Sequence, residues 1–260
     1  MFWLQDKHLV IIGGTSGIGW AAAEAFVREG ARVVVVGLDK ESVDNAGLLL
    51  GKNGQALLGD ASQEGTAEQA IDSCVKKFGG FHGLYHVAGG SGRKYGDGPL
   101  HELSLDGWNR TLAMNLTSLM LSNQAAVRKF LALKVSGSIL NIGSVLGSSP
   151  SPKHFVTHAY AASKSAVEGF SQSLASYYAA NTIRINVLSP GLIDTPMAKR
   201  AIKDNEIVKF IETKQPLQGR IGDPTDLTGA AVYFMSDQSA FTTGQVLHID
   251  GGWRISEGQY

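Results

Sequence analysis

The chain has 260 residues, 43% of them hydrophobic and 18% charged, with 23 basic side chains set against 23 acidic ones. A chain of this length can bury roughly 72% of its unfolded surface, enough for one substantial core, and the balanced charge excludes a field that would draw in nucleic acid, anionic lipid or an acidic partner. Few prolines and no apolar run near the roughly 18 residues of a membrane span exclude a disordered chain and a transmembrane helix.

The first ten residues include Asp6, Lys7 and His8 and lead straight into an apolar run, so no secretory leader is expected. Cys74 is the only cysteine, which rules out an intrachain disulfide or a cysteine-built zinc cage and makes a reducing cytoplasm the expected setting. Nothing resembling a linker divides the chain, so one domain over residues 1–260 is expected.

Leu9, Val10, Ile11 and Ile12 form a short apolar run ending at Gly13, the pattern of a buried strand. An alanine-rich helix follows through Val27 and stops at Gly30, before a strand over Val33 to Val36. The alternation continues with helices near 40–50 and 64–78 and strands near 55–59 and 82–88. Beyond these come helices near 104–113, 115–134 and 158–180, and strands over Ser138–Ile142, Ile183–Leu188 and Gln245–Ile249. Buried strands alternating with helices predict an α/β, doubly wound parallel sheet with helices on both faces. Ligands of such sheets bind beyond the carboxyl ends of the strands.

Gly13, Gly17 and Gly19 lie between the first strand and first helix in the spacing Gly-x-x-x-Gly-x-Gly. The first permits a tight turn, the second a close backbone approach to pyrophosphate, and the third close packing of the helix, whose free N–H groups face the anion. The bland alternative is a ligand-free turn, but its place on the first strand-helix-strand unit favours a dinucleotide. Tyr160 and Lys164 are one helical turn apart, so both can reach one ligand, and a nearby ammonium is expected to lower the phenol pKa toward neutrality. Ser144, at the end of the preceding strand, can hydrogen-bond the carbonyl oxygen that Tyr160 protonates.

The chain resembles the short-chain dehydrogenase/reductase family from Leu9 to Gly252. The likeness rests on Gly13-Gly14-Thr15-Ser16-Gly17-Ile18-Gly19, Gly59-Asp60, Val87-Ala88-Gly89, Met114-Asn115-Leu116, Asn141-Ile142-Gly143-Ser144, Tyr160-Ala161-Ala162-Ser163-Lys164, Ser189-Pro190-Gly191 and Asp250-Gly251-Gly252. The resemblance implies a Rossmann fold, hydride transfer between a nicotinamide cofactor and a secondary alcohol or ketone, and a homodimer or homotetramer. It also implies a catalytic set of Asn115, Ser144, Tyr160 and Lys164. Cofactor contacts are implied for the phosphate loop, including Thr15, Ser16 and Ile18, for Leu38 and Asp39, and for Asp60 and Ala61 at the adenine. Ala88, Gly89, Asn115, Tyr160, Lys164, Pro190, Gly191, Ile193 and Thr195 complete that set.

The sequence departs from the family pattern in four places. Ile12 stands where a threonine is usual, and His86 and Val87 replace two asparagines, changes expected to retune the loop near the adenosine. The loop from Ser148 to His158 is expanded and expected to shape the substrate site. After the second strand, Gly37 takes the usual acidic position and Leu38 the usual arginine position, with Asp39 two residues late. Asp39 would repel a 2′-phosphate and accept from a ribose hydroxyl, which favours NAD over NADP, with Lys40 as the counter-argument.

Residues 191–217 resemble a substrate lid. Ser144, Leu146, His154, Tyr160, Leu192 and Met197 are the expected substrate contacts, no metal is expected, and a small neutral alcohol or carbonyl compound is the expected substrate. Arg93 and Lys94 could reach an acidic group, although a glycine-rich loop more often leaves such side chains solvated. The alternatives are an NADP-dependent 3-oxoacyl-[acyl-carrier-protein] reductase using Arg128, Lys129 and Arg200 to meet its carrier, and a dinucleotide sensor without turnover.

Overall fold

Leu9, Val10, Ile11 and Ile12 are fully buried and form the core of strand β1 (His8–Ile12), the third strand across a seven-stranded sheet. The computed structural model describes residues 2–259. The sheet order is β3 (Gly54–Leu58), β2 (Arg32–Gly37), β1, β4 (Gly83–His86), β5 (Gly137–Ile142), β6 (Ile183–Pro190) and β7 (Val246–Ile249). Every neighbouring pair is parallel, so the strand periodicity and the doubly wound arrangement are as the sequence implies.

Alternate strand residues enter opposite layers, as a pleated strand requires. Leu9, Ile11, Val33 and Val35 pack with Phe26 of α1 (Gly17–Arg28) and Phe234 of α9 (Thr228–Met235), and α2 (Lys40–Leu50) adds Ala46 and Leu50. Val10, Ile12, Val34 and Val36 face Ile71 of α3 (Thr66–Phe78) and Phe130 of α5 (Ser118–Leu133). Phe81 stacks on Phe130 in this second layer, with centroids 4.6 Å apart.

α4 (Leu105–Leu112) and α5 form almost one rod, joined by a single wide π-turn at Ala113–Thr117. Such a turn is a common device for redirecting a side chain at a functional site, and this one contains Asn115. α6 (His158–Tyr178) follows the expanded loop. The lid is two short helices, α7 (Lys199–Ile202) and α8 (Asn205–Lys214). α9 has no counterpart among the sequence expectations: its interior reads apolar all round, without the 3.6-residue stripe that would mark it. Its entry is nonetheless marked, since Asp223 and Asp226 form a capping box around Pro224, just ahead of the helix. No helix among the described residues is long and apolar enough to cross a membrane.

Candidate active site

The strand order reverses between β1 and β4, and the glycine loop sits over that switch point. Gly13 has φ +84°, and a Cβ there would lie 2.6 Å from the Ala88 nitrogen at the end of β4. At Gly19 a Cβ would lie 2.0 Å from the Gly13 carbonyl oxygen, so a side chain would drive the helix off the loop. Ser16 precedes α1 without a side-chain cap bond, leaving its first N–H groups available to an anion. Gly17 and Thr195 line a cavity of about 420 Å³ with Trp20, Pro196 and Lys199. A loop with no room for a side chain at Gly13 or Gly19, a bare helix N-terminus and a lysine at the cavity wall fit a dinucleotide pyrophosphate.

On the same sheet edge, Ser144 stands two residues past the end of β5 and Tyr160 lies in the first turn of α6, where the Ser144 hydroxyl acts on the phenol. Desolvation pushes the Tyr160 phenol above its ordinary pKa, and the Ser144 bond pulls it back. The expected lowering by Lys164 is therefore not the dominant effect in this state. Lys164 lies below, with Nζ 5.7 Å from the centre of the tyrosine ring, and donates to the Ile142 carbonyl at 3.0 Å. Burial pulls its ammonium down to about 8, so the lysine sits close to its own titration near neutral pH.

Asn115 is fully buried, and its carboxamide grips the backbone after β4. Nδ2 donates to the Gly90 carbonyl at 2.8 Å, and Oδ1 accepts from the Gly90 N–H at 3.1 Å. A Cβ at Gly89 would sit 2.6 Å from Asn115 Oδ1 and 3.7 Å from Lys164 Nζ, so Asn115 and Lys164 border one small space. His86, one of the two changes expected to retune the loop near the adenosine, sends its ring into the core. It is buried with Nδ1 2.8 Å from Ser122 Oγ of α5, and desolvation, followed by the charge of Lys164, lowers its pKa to about 3, so it is a neutral core imidazole.

One residue of this site was missed by sequence reasoning. Asp97, in the loop between β4 and α4, is buried and caps α6 from a distance. Its Oδ1 accepts from the Ala159 N–H and its Oδ2 from the Tyr160 N–H, each at 3.0 Å. Thr157, at the helix's own cap position, makes no side-chain bond, so this carboxylate takes over the task.

The remaining expected positions divide into those at the edge and those committed elsewhere. Asp39 is exposed and caps α2, with Oδ2 accepting from the Ser42 N–H at 2.8 Å. Leu38 is exposed beside it. Asp60 Oδ1 holds the turn into α3 through the Ser62 N–H and hydroxyl, with Ala61 following it. Pro190 ends β6, and the Gly191 N–H bonds the Ile249 carbonyl. The Ile193 side chain is buried in the core, which leaves only its backbone for a ligand. Leu146 and Leu192 pack together with Phe155, Phe210 and Trp253, forming an apolar wall between loop and lid. His154 lies in that contact, its ring 4.9 Å from Phe210, while Met197 is exposed on the lid.

The family model described as enoyl-(acyl carrier protein) reductase matches residues 13–254. The chain is 33% identical to the 2,5-dichloro-2,5-cyclohexadiene-1,4-diol dehydrogenase LinX of Sphingobium indicum, over 97% of this chain and 98% of that one. It is 32% identical to the 2-(S)-hydroxypropyl-CoM dehydrogenase 3 of Xanthobacter autotrophicus (96% and 97% covered) and 32% identical to the 3-oxoacyl-[acyl-carrier-protein] reductase FabG of Chlamydia muridarum (96% and 98%). Among solved structures, a short-chain type dehydrogenase/reductase from Mycobacterium ulcerans superposes with a TM-score of 0.89 at 30% identity, covering 98% of this chain and 92% of that one. The glycine cradle at the switch point, the Ser144, Tyr160 and Lys164 cluster and these relatives agree that this chain belongs to the short-chain dehydrogenase/reductase family of nicotinamide-dependent oxidoreductases.

Proposed function

We propose that the protein interconverts a small-molecule secondary alcohol and its ketone, with Tyr160 giving or taking the proton at the substrate oxygen. The observation that carries this is the buried Lys164 ammonium 5.7 Å from the Tyr160 ring centre, one helical turn along α6 and beside Ser144, on the edge that also holds the glycine cradle. A bound nicotinamide dinucleotide supplies the hydride acceptor or donor. Ser144 hydrogen-bonds the substrate oxygen, Lys164 stabilises negative charge as the phenol ionises, and Asn115 holds the Gly89 to Gly90 backbone that walls the space beside Lys164. The two dehydrogenases among the relatives support the alcohol-ketone reading. Lys129, one of the cations a carrier-protein reductase would use, is already held by Asp72 at 2.5 Å, which weighs against that alternative.

NAD is the proposed cofactor. Asp39 fills the N-terminus of α2 with a carboxylate, and Lys40, next to it in sequence, is tied to Asp44 at 2.7 Å. A 2′-phosphate would meet the Asp39 carboxylate there, with Lys40 already paired to Asp44. A parallel titration with NADH and NADPH is expected to give NADH about tenfold tighter binding, and tighter NADPH binding would reverse the assignment. The acid that Gly37 lacks cannot simply be restored. A Cβ at Gly37 would lie 2.2 Å from Thr15 Oγ1 and 2.6 Å from its Cγ2, so Gly37→Ala is expected to cost about 1–3 kcal/mol of stability, read from denaturant unfolding.

A homodimer or homotetramer completes the proposal, supported by Phe241, Leu247 and Ile255, apolar and exposed at or near the open β7 edge. Light scattering tests it, and a monomer at micromolar concentration would refute it. A cytoplasmic setting is the reading of the single, buried Cys74.

A further inference from the structure

The lid leaves the sheet at Gly191, just past β6, and ends beyond Lys214, the last residue of α8. One buried side chain joins its two ends. Gln215, the C-cap of α8, is only 3% exposed, and its carboxamide is spent on backbone. Oε1 accepts from the Leu192 N–H at 2.6 Å, at the entry to the lid. Nε2 donates to the Leu192 carbonyl at 3.3 Å and to the Arg220 carbonyl at 2.9 Å, just past the exit. The Gly222 N–H donates to the Leu192 carbonyl at 2.9 Å and the Asp194 N–H to the Gly222 carbonyl at 2.7 Å, which extends the join as a short bridge between Ile193 and Gly222.

The space around Gln215 is full. A Cβ at Gly191 would lie 2.5 Å from Gln215 Oε1, and one at Gly251, where φ is +59°, would lie 3.1 Å from Gln215 Cβ. The Leu217 N–H donates to the Gly251 carbonyl at 2.9 Å, so the turn Asp250-Gly251-Gly252 is fastened to the same place. A carboxamide that accepts from the N–H and donates to the carbonyl of one residue fixes the peptide planes on both sides of it. The backbone fixed in this way runs straight into the cavity beside the glycine loop. Asp194, Thr195 and Pro196 line that cavity together with Gly17, and a Cβ at Gly17 would lie 3.2 Å from Thr195 Cγ2.

We infer that Gln215 is a positioning residue for the cofactor: it sets the Gly191 to Ile193 backbone against which the nicotinamide half of the dinucleotide lies. This role rests on the placement of the nicotinamide beside Pro190, Gly191 and Ile193 that the family resemblance implies, and it deepens the hydride-transfer reading proposed above. The pyrophosphate rests on other elements, the glycine loop and the N-terminus of α1.

That division of labour can be measured. ADP-ribose carries the adenosine, the pyrophosphate and a ribose but no nicotinamide. NADH and ADP-ribose are each titrated into the unaltered protein and into Gln215→Met, which keeps the length of the side chain and removes its three hydrogen bonds. NADH is expected to bind about tenfold more weakly to the variant, and ADP-ribose to stay within about twofold. Gln215→Glu keeps an acceptor for the Leu192 N–H but turns a carboxylate oxygen toward two carbonyls, so it is expected to weaken NADH as much or more, with ADP-ribose again nearly unchanged. It also carries the test alone if the methionine variant does not fold. An unchanged ratio of NADH to ADP-ribose affinity in both variants overturns the inference, whether the two ligands keep their affinities or lose them in equal proportion, the latter marking general loosening of the fold. The placement of the nicotinamide fails differently: the unaltered protein binds NADH no tighter than ADP-ribose, and the role of Gln215 falls with it.

Discussion

Tyr160→Phe is expected to lower turnover by about three orders of magnitude while leaving NADH affinity within a few-fold of the unaltered protein. The substitution keeps the ring and its packing and removes only the hydroxyl, the group whose pKa Ser144 lowers. The glycine cradle lies on other elements, so a dinucleotide retains its pyrophosphate contacts. Stopped-flow turnover paired with NADH fluorescence separates the two effects, and a variant that keeps full turnover would remove Tyr160 from the chemistry. Ser144→Ala tests the same bond through pH. Desolvation already raises the phenol pKa, and the Ser144 hydrogen bond is what counters it. Alcohol oxidation needs the phenolate, so its rate falls as pH drops through the operative tyrosine pKa. Without Ser144 that pKa rises, and the acidic limb of the kcat/KM profile is expected to move to higher pH. A limb that stays in place would mean that Tyr160 is not the group titrating, or that Ser144 is not its partner.

What could be read from the sequence was whatever is local. The run from Leu9 to Ile12 needs no partner to announce a buried strand, and the spacing of Gly13, Gly17 and Gly19 carries its mechanical meaning within one loop. Tyr160 and Lys164 share a helix face by their spacing alone, which is why their juxtaposition was legible. Charge was less legible, because the energy of an ionised group is set by what surrounds it in space. Adjacency to Lys164 suggested a lowered phenol pKa, but the fold gives Tyr160 a desolvated position whose effect is larger. Arg93 looked like a solvated side chain in a glycine-rich stretch, yet Asn115 and Asp97 pin that stretch from opposite ends. The sequence likewise does not show that the His86 ring is bonded to Ser122 of α5, 36 residues away.

Asp97 is the clearest case of information held only in the tertiary structure, since 63 residues separate it from the Tyr160 N–H that it accepts from. In sequence it stands between Gly96 and Gly98 and reads as a turn residue. In the fold, its carboxylate satisfies two donors that α6 itself leaves without acceptors, in the very turn that carries the phenol. Asp97→Ala would leave both N–H groups in a buried position without a partner, at a cost of about 1–3 kcal/mol. The structure can relieve that cost by fraying the first turn of α6, which moves Tyr160 away from Ser144. A misplacement of about 1 Å is enough for roughly a hundredfold loss of rate, so kcat is expected to fall by about that factor. KM and NADH affinity are expected to change much less. Asp97→Asn retains one acceptor oxygen but turns an N–H₂ toward the second helix N–H, and it is expected to fall between the two. Hydrogen exchange distinguishes positioning from general destabilisation: protection should be lost at Ala159 and Tyr160 and kept toward the middle of α6, near Val167. If protection falls evenly along the helix, or if Asp97→Ala turns over at the unaltered rate, Asp97 does not position Tyr160.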